Sequence, residues 1–181
     1  MFEAMIDPTA APGAASGVER AARPARLDGL TVGLLANTKK NAEAFLDAVG
    51  ELLAAQHATA GVVRRTKTSI TVPVPAETLA ELVDACDVVV VGVGDCGSCS
   101  ASAVADGIAF EGAGVPAAVI CSDAFRLSAD AMADVAGSPG YRYACTPHPV
   151  APLSADEVRE RARRALPELV ELLTGTSAVR A

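Results

Sequence analysis

The chain has 181 residues, a net charge of −7 and a pI near 4.8; 51% of it is hydrophobic and only 3% aromatic. That length suffices for one domain with one core. The acidic balance and scarce aromatics weigh against a nucleic-acid surface or an anionic membrane as partner, and no run nears the roughly 20 apolar residues that span a bilayer.

Residues 1–28 are rich in Ala, Pro, Gly and Arg and show no clean period. They are read as an irregular N-terminal arm that docks on the body or on a second subunit. The first eight residues carry neither the basic nor the apolar region of a secretion signal. The five cysteines are an odd number, and Cys86, Cys121 and Cys145 stand beside or within apolar runs. This predicts reduced cysteines and a cytoplasmic protein.

From residue 29 the pattern alternates. Residues 30–37 form a short apolar run, the first strand. Over 41–56 the apolar residues Ala44, Phe45, Ala48, Val49, Leu52 and Leu53 recur at helical spacing. A weaker strand spans 61–67, with Arg64, Arg65 and Lys67 as a solvated basic edge. A loop with Pro73 and Pro75 precedes a helix over 76–85. Residues 87–94 are the strongest strand, apolar on both faces as central parallel strands are. Helix 99–112, strand 116–121, helix 123–136 and strand 141–145 follow. Ser154 caps a last helix to about residue 173, with Glu157 three positions on, and 176–181 form a tail. Five strands alternating with five helices predict a single α/β domain over 29–175. It is a doubly wound, five-stranded parallel sheet of flavodoxin-like order 2-1-3-4-5.

In such sheets ligands sit at the carboxyl ends of the strands, beside the switch point. The loops meeting there carry Asn37, Lys39 and Lys40; Asp95 and Cys96-Gly97-Ser98-Cys99; Ser122 and Phe125; and Thr146 and His148. Their convergence is the main argument for a site.

Cys96 falls just before a helix or in its first turn. Free amides and the helix dipole favour a thiolate there. The C-x-x-C spacing supports reversible disulfide exchange with Cys99, or covalent attack by Cys96 on a substrate with Cys99 assisting. Two buried fillers are the plain alternative. Structural zinc lacks ligands, since His148 is the single histidine in a candidate loop. A nitrile-hydratase-like metal claw lacks a cysteine at Ala101. No metal site and no cofactor is identifiable: Gly92-x-Gly94 lacks a third glycine at dinucleotide spacing, and there is no P-loop.

Cys96-Gly97-Ser98-Cys99 resembles the motif of the UGSC family, named for selenocysteine-Gly-Ser-Cys, with Cys96 in the selenocysteine position. The likeness extends to Asp7-Pro8-Thr9-Ala10, to Val32-Gly33-Leu34-Leu35 with Asn37, to Gly92-Val93-Gly94-Asp95, and to Pro147-His148-Pro149. It implies a thiol- or selenol-centred catalyst. Lys40 stands where a proline is expected, and Ala151-Pro152 replaces a Gly-Gly, which puts the substrate pocket in question more than the thiol centre.

His148, flanked by prolines, is the candidate acid–base partner of Cys96. Lys39 and Lys40 are candidates to bind a carboxylate or phosphate. Asp95 orients a proton donor or bonds turn amides. Asn41, Ser122 and Asp123 are expected as helix caps, and Cys121 and Cys145 as core. The function expected is redox or thiol-transfer chemistry by Cys96 and Cys99 on a small metabolite. The rivals are a non-redox lyase, hydratase or isomerase with a Cys96 adduct, and a subunit of a larger complex. The partners expected are a small molecule and further copies of this or a related chain.

Overall fold

The computed structural model describes residues 17–175. The leader motif at 7–10 and the tail at 176–181 lie outside the described residues. Strands β1 (Thr31–Ala36), β2 (Gly61–Thr66), β3 (Val88–Gly94), β4 (Ala117–Ser122) and β5 (Ala144–Thr146) alternate with helices α1 (Ala42–His57), α2 (Ala76–Ala85), α3 (Gly97–Gly112), α4 (Arg126–Val135) and α5 (Ala155–Thr174). The sheet order is β2-β1-β3-β4-β5 and every pairing is parallel. This is the flavodoxin-like arrangement.

The two-residue period of the strands splits the core into two layers. Leu34, Val90 and Ile120 pack against Phe45 and Val49 of α1 and Leu166 and Leu169 of α5. Leu35, Val89, Val91 and Val119 face the other way, onto Leu82 of α2, Val104 and Ile108 of α3 and Ala129 and Ala133 of α4. β3 is buried along its whole length. Each such Val or Leu contributes roughly 1.5–3 kcal/mol relative to an exposed side chain. That is why the central strand reads as an unbroken apolar run.

Several boundaries differ from the sequence expectation. α3 begins at Gly97, two residues early. Residues Asp123–Phe125 form a separate 3-10 turn ahead of α4. The fifth strand is confined to Ala144–Thr146, one residue beyond the expected range, while Tyr141 and Tyr143 pack in the loop before it. Ser154 caps α5 in a full capping box with Glu157, as its spacing predicts.

Residues 17–28 form no helix or strand but lie on the body. Leu27 is buried in the core. Arg23 donates two hydrogen bonds to Glu111, at 2.7 and 2.6 Å, and one to the Leu172 carbonyl at 2.9 Å. The segment thereby joins the ends of α3 and α5.

The basic edge on β2 needs one correction. Arg64 and Arg65 are solvated and pair with Asp47 and Glu81. Lys67 is instead buried, and its ammonium donates to Ser102 and Asp106 on α3. Among the described residues no helix is long and apolar enough to cross a membrane.

Candidate functional site

β3 hands over to α3 at a tight crossing. A Cβ on Gly94 would lie 2.7 Å from Cα of Ser100 and 2.9 Å from Sγ of Cys121, so only glycine lets the first helical turn sit there. The Ser100 hydroxyl fastens that turn by donating to the Gly94 carbonyl at 3.1 Å.

Cys96 is the N-cap of α3, and its Sγ accepts the Cys99 amide at 3.2 Å. Cys96 and Cys99 form a disulfide. Cys99 is fully buried, Cys96 only partly, and Ser98 is exposed with its Oγ 3.6 Å from the Cys96 sulfur. An external reagent therefore meets Cys96 first. After reduction the amide and helix terminus at Cys96 would stabilise a thiolate there. The other cysteines are unlike it. Burial pushes the Cys86 thiol up to about 11 and the Cys121 thiol up to about 12. Burial also raises the half-buried Cys145.

Asp95, next in the chain, is 4% exposed and wholly engaged by the protein. Its Oδ1 accepts from the Ser122 hydroxyl, from the Val150 amide at 3.0 Å and faces His148 Nδ1 at 3.0 Å. Its Oδ2 accepts from the amides of Val150 at 3.0 Å and Ala151 at 2.9 Å. Burial pushes this carboxyl up, but the bonds from Ser122, Ala151, Val150 and His148 outweigh it. The net shift is below the usual carboxylate value. Asp95 thus bonds amides of the His148 loop, not those of its own turn, and its carboxylate orients the imidazole.

His148 is held from several sides. Its amide donates to Asp123 Oδ1 at 3.0 Å, and its ring stands edge-on to Phe125 with centroids 5.0 Å apart. Arg161 of α5 donates to the neighbouring Pro147 carbonyl at 2.6 Å. The peptides His148–Pro149 and Gly92–Val93 are cis. An ionised Asp95 makes Nδ1 the donor, which leaves Nε2 as the free acid–base atom. No hydrogen bond joins His148 to Cys96 among the described residues; Asp95 is the imidazole's partner. Thr146, two residues before His148, is 2% exposed, pairs in register with Ser122, and has no hydrogen-bond partner for its hydroxyl.

Three capping expectations are corrected. Asn41 does start α1, but its side chain makes no cap bond. It adopts a left-handed conformation and donates to the carbonyls of Val150, Ala151 and Leu153. It therefore pins the His148 loop to α1. Ser122 spends its hydroxyl on Asp95, and Asp123 its carboxylate on the His148 amide. Neither caps the helix after β4.

Asn37 is buried at the end of β1. Its amide nitrogen Nδ2 donates to Val93 at 2.9 Å and its Oδ1 accepts from the Lys39 amide at 3.1 Å. Lys39 and Lys40 line a cleft of about 440 Å³ together with Asn37, Thr38, Asn41, Glu43, Ala44 and Thr66. Cys96 and His148 are not part of that lining. Gly97 lies against Ser128 of α4, where an added Cβ would come within 3.2 Å of its Oγ. Among the described residues no group of three or more His, Cys, Asp or Glu is placed to hold a metal.

Sequence reasoning missed the roles of Asn41, which acts across a long stretch of chain, and of Arg161, which reaches back from α5 to Pro147. It also missed the Lys67–Asp106 pair under α3. The available signal was Ser102 and Asp106, four apart and so on one face of a helix whose middle is otherwise Ala, Val, Gly and Ile.

The model of a protein family described as the UGSC family matches residues 4–175. No curated protein gives a significant match to the chain.

Proposed function

The chain belongs to the UGSC family, and from the geometry of its site we propose that it is a thiol-dependent oxidoreductase acting on a small metabolite through Cys96 and Cys99. One observation carries this reading: a Cys96–Cys99 disulfide at the start of α3 with Cys96 accessible and Cys99 buried. That asymmetry suits an attacking and a resolving thiol.

In the reduced protein the Cys96 thiolate attacks one sulfur of an oxidised disulfide metabolite. The substrate S–S bond breaks, and the departing thiolate takes a proton, for which His148 is the candidate acid. Cys99 then loses its proton and attacks the Cys96 sulfur. The second substrate thiolate leaves, and the Cys96–Cys99 disulfide forms. Two electrons pass to the substrate, and a thiol reductant restores the dithiol. Such cycling belongs to a reducing compartment, which agrees with a cytoplasmic setting.

The Asp95–His148 pair favours one second reading. A Cys96 adduct could be worked by acid–base chemistry without electron transfer, as in a lyase or hydratase. Turnover of 2-hydroxyethyl disulfide by Cys99→Ser separates the two. The redox reading expects turnover to vanish and a mixed disulfide on Cys96 to accumulate by intact mass. Undiminished turnover by Cys99→Ser overturns it. Iodoacetamide alkylation of the reduced protein against pH tests the thiolate. An apparent pKa of about 8.5 or above for Cys96 removes the helix-terminus argument.

A further inference from the structure

The protein carries fifteen Lys and Arg against twenty-two Asp and Glu. Most described cations are spoken for. Arg23, Arg64, Arg65, Lys67, Arg142, Arg159, Arg163 and Arg164 each pair with a carboxylate. Lys39 and Lys40 have no carboxylate within ion-pair distance among the described residues, although they are adjacent and the protein is acidic. Both line the same cleft of about 440 Å³, a volume suited to a small organic molecule.

The one acid in the cleft, Glu43, accepts the hydroxyl of Thr66 in the same lining at 2.6 Å and pairs with neither lysine. The first-turn amides of α1 also receive no side-chain cap, since Asn41 is committed to the His148 loop. The cleft is tied to the segment that carries the thiol centre, although Cys96 and His148 do not line it. Asn37, in its wall, donates to the Val93 carbonyl, and Val93 precedes Cys96 by three residues, a span of at most about 10 Å.

We propose that this cleft binds an anionic group, a carboxylate or a phosphate, through Lys39 and Lys40, and that the substrate of Cys96 carries such a group. The second half rests on the thiol–disulfide reading; the anion site does not.

Two measurements on the full chain separate the halves. The first titrates inorganic phosphate and succinate into the oxidised protein and follows backbone amide resonances. Saturable shifts confined to residues 37–44, weakened about tenfold or more in Lys39→Ala/Lys40→Ala, are expected. The tighter of the two probes identifies the group. Absent saturation, or equal affinity in the double variant, overturns the site. The second compares kcat/KM for anionic 3,3′-dithiodipropionate and neutral 2-hydroxyethyl disulfide. The anionic-to-neutral ratio is expected to fall about tenfold or more in the double variant, through KM. An unchanged ratio overturns the substrate assignment and leaves the thiol reading standing. Anion binding with no turnover of either disulfide by the unmodified protein overturns the thiol reading and leaves the anion site standing.

Discussion

Asp95 and Asp106 are both buried, at 4% and 1% exposure, and burial has opposite outcomes for them. Asp95 follows β3 and gathers donors from the end of β4, at Ser122, and from the loop before α5, at His148 and the amides of Val150 and Ala151. These hold its carboxyl below the ordinary value. Asp106 sits within α3 and has the Lys67 ammonium and the Val74 amide. There burial pushes the carboxyl up more than Lys67 and Val74 draw it down. The number of donors, and not depth alone, decides how a buried acid titrates. The placement differs too. Asp106 ties the segment from Lys67 to Val74 onto α3, while Asp95 orders the loop that carries the imidazole.

Breaking the inner pair should have the largest effect on stability. Lys67→Ala or Asp106→Ala leaves an uncompensated buried charge and should cost about 3–5 kcal/mol in urea unfolding. The double variant Lys67→Met/Asp106→Leu should recover most of that loss, because the two desolvation penalties disappear together. A double variant no more stable than either single one would show that the pair supplies more than mutual neutralisation.

Asp95→Asn is nearly isosteric and should cost about 1–3 kcal/mol, since amides at Val150 and Ala151 lose a charged acceptor. Unlike the Asp106 change, it should also disturb the thiol chemistry. The pH dependence of disulfide exchange should lose its His148-dependent limb, because nothing then fixes the imidazole tautomer. An Asp95→Asn profile matching the original would reduce Asp95 to a loop clamp.

The two acids also differ in sign under acidification. Asp95 has a lowered folded pKa, so its contribution is fully present above the unfolded value of about 4 and is lost as pH falls through the folded value. The stability gap between the unmodified protein and Asp95→Asn should therefore shrink steadily below about pH 4. A gap independent of pH down to about 2 would contradict the lowered carboxyl.

The sheet order was legible because residues 87–94 are apolar on both faces and five strand–helix units alternate. The switch-point rule pointed to loops that do meet, since Asp95, beside Cys96, bonds both Ser122 and His148. Partners within those loops were not legible. Asn41, Ser122 and Asp123 have the composition of helix caps, and that composition serves equally to bond a distant loop. Asn41 finds its acceptors about 110 residues away, which local pattern does not encode. Lys67 looked solvated because its burial comes from packing against α3. Tyr141 and Tyr143 favour a strand by propensity, yet the Tyr143 hydroxyl is taken by Asp130 at 2.6 Å.

The smallest test sets two serines side by side. Ser122 donates to Asp95, and Ser102 accepts from Lys67 and donates to the Val72 carbonyl. Each change to alanine removes a modest hydrogen-bonding group and should cost about 1 kcal/mol, so stability alone will not tell them apart. Function should. Ser122 touches the carboxylate that orients His148, so Ser122→Ala should alter the pH profile of exchange at Cys96. Ser102 lies in the network that fastens the Lys67 segment, so Ser102→Ala should leave that profile in place. If both profiles move together, α3 transmits strain from its interior to its first turn, and the division between an organising acid and a fastening acid fails.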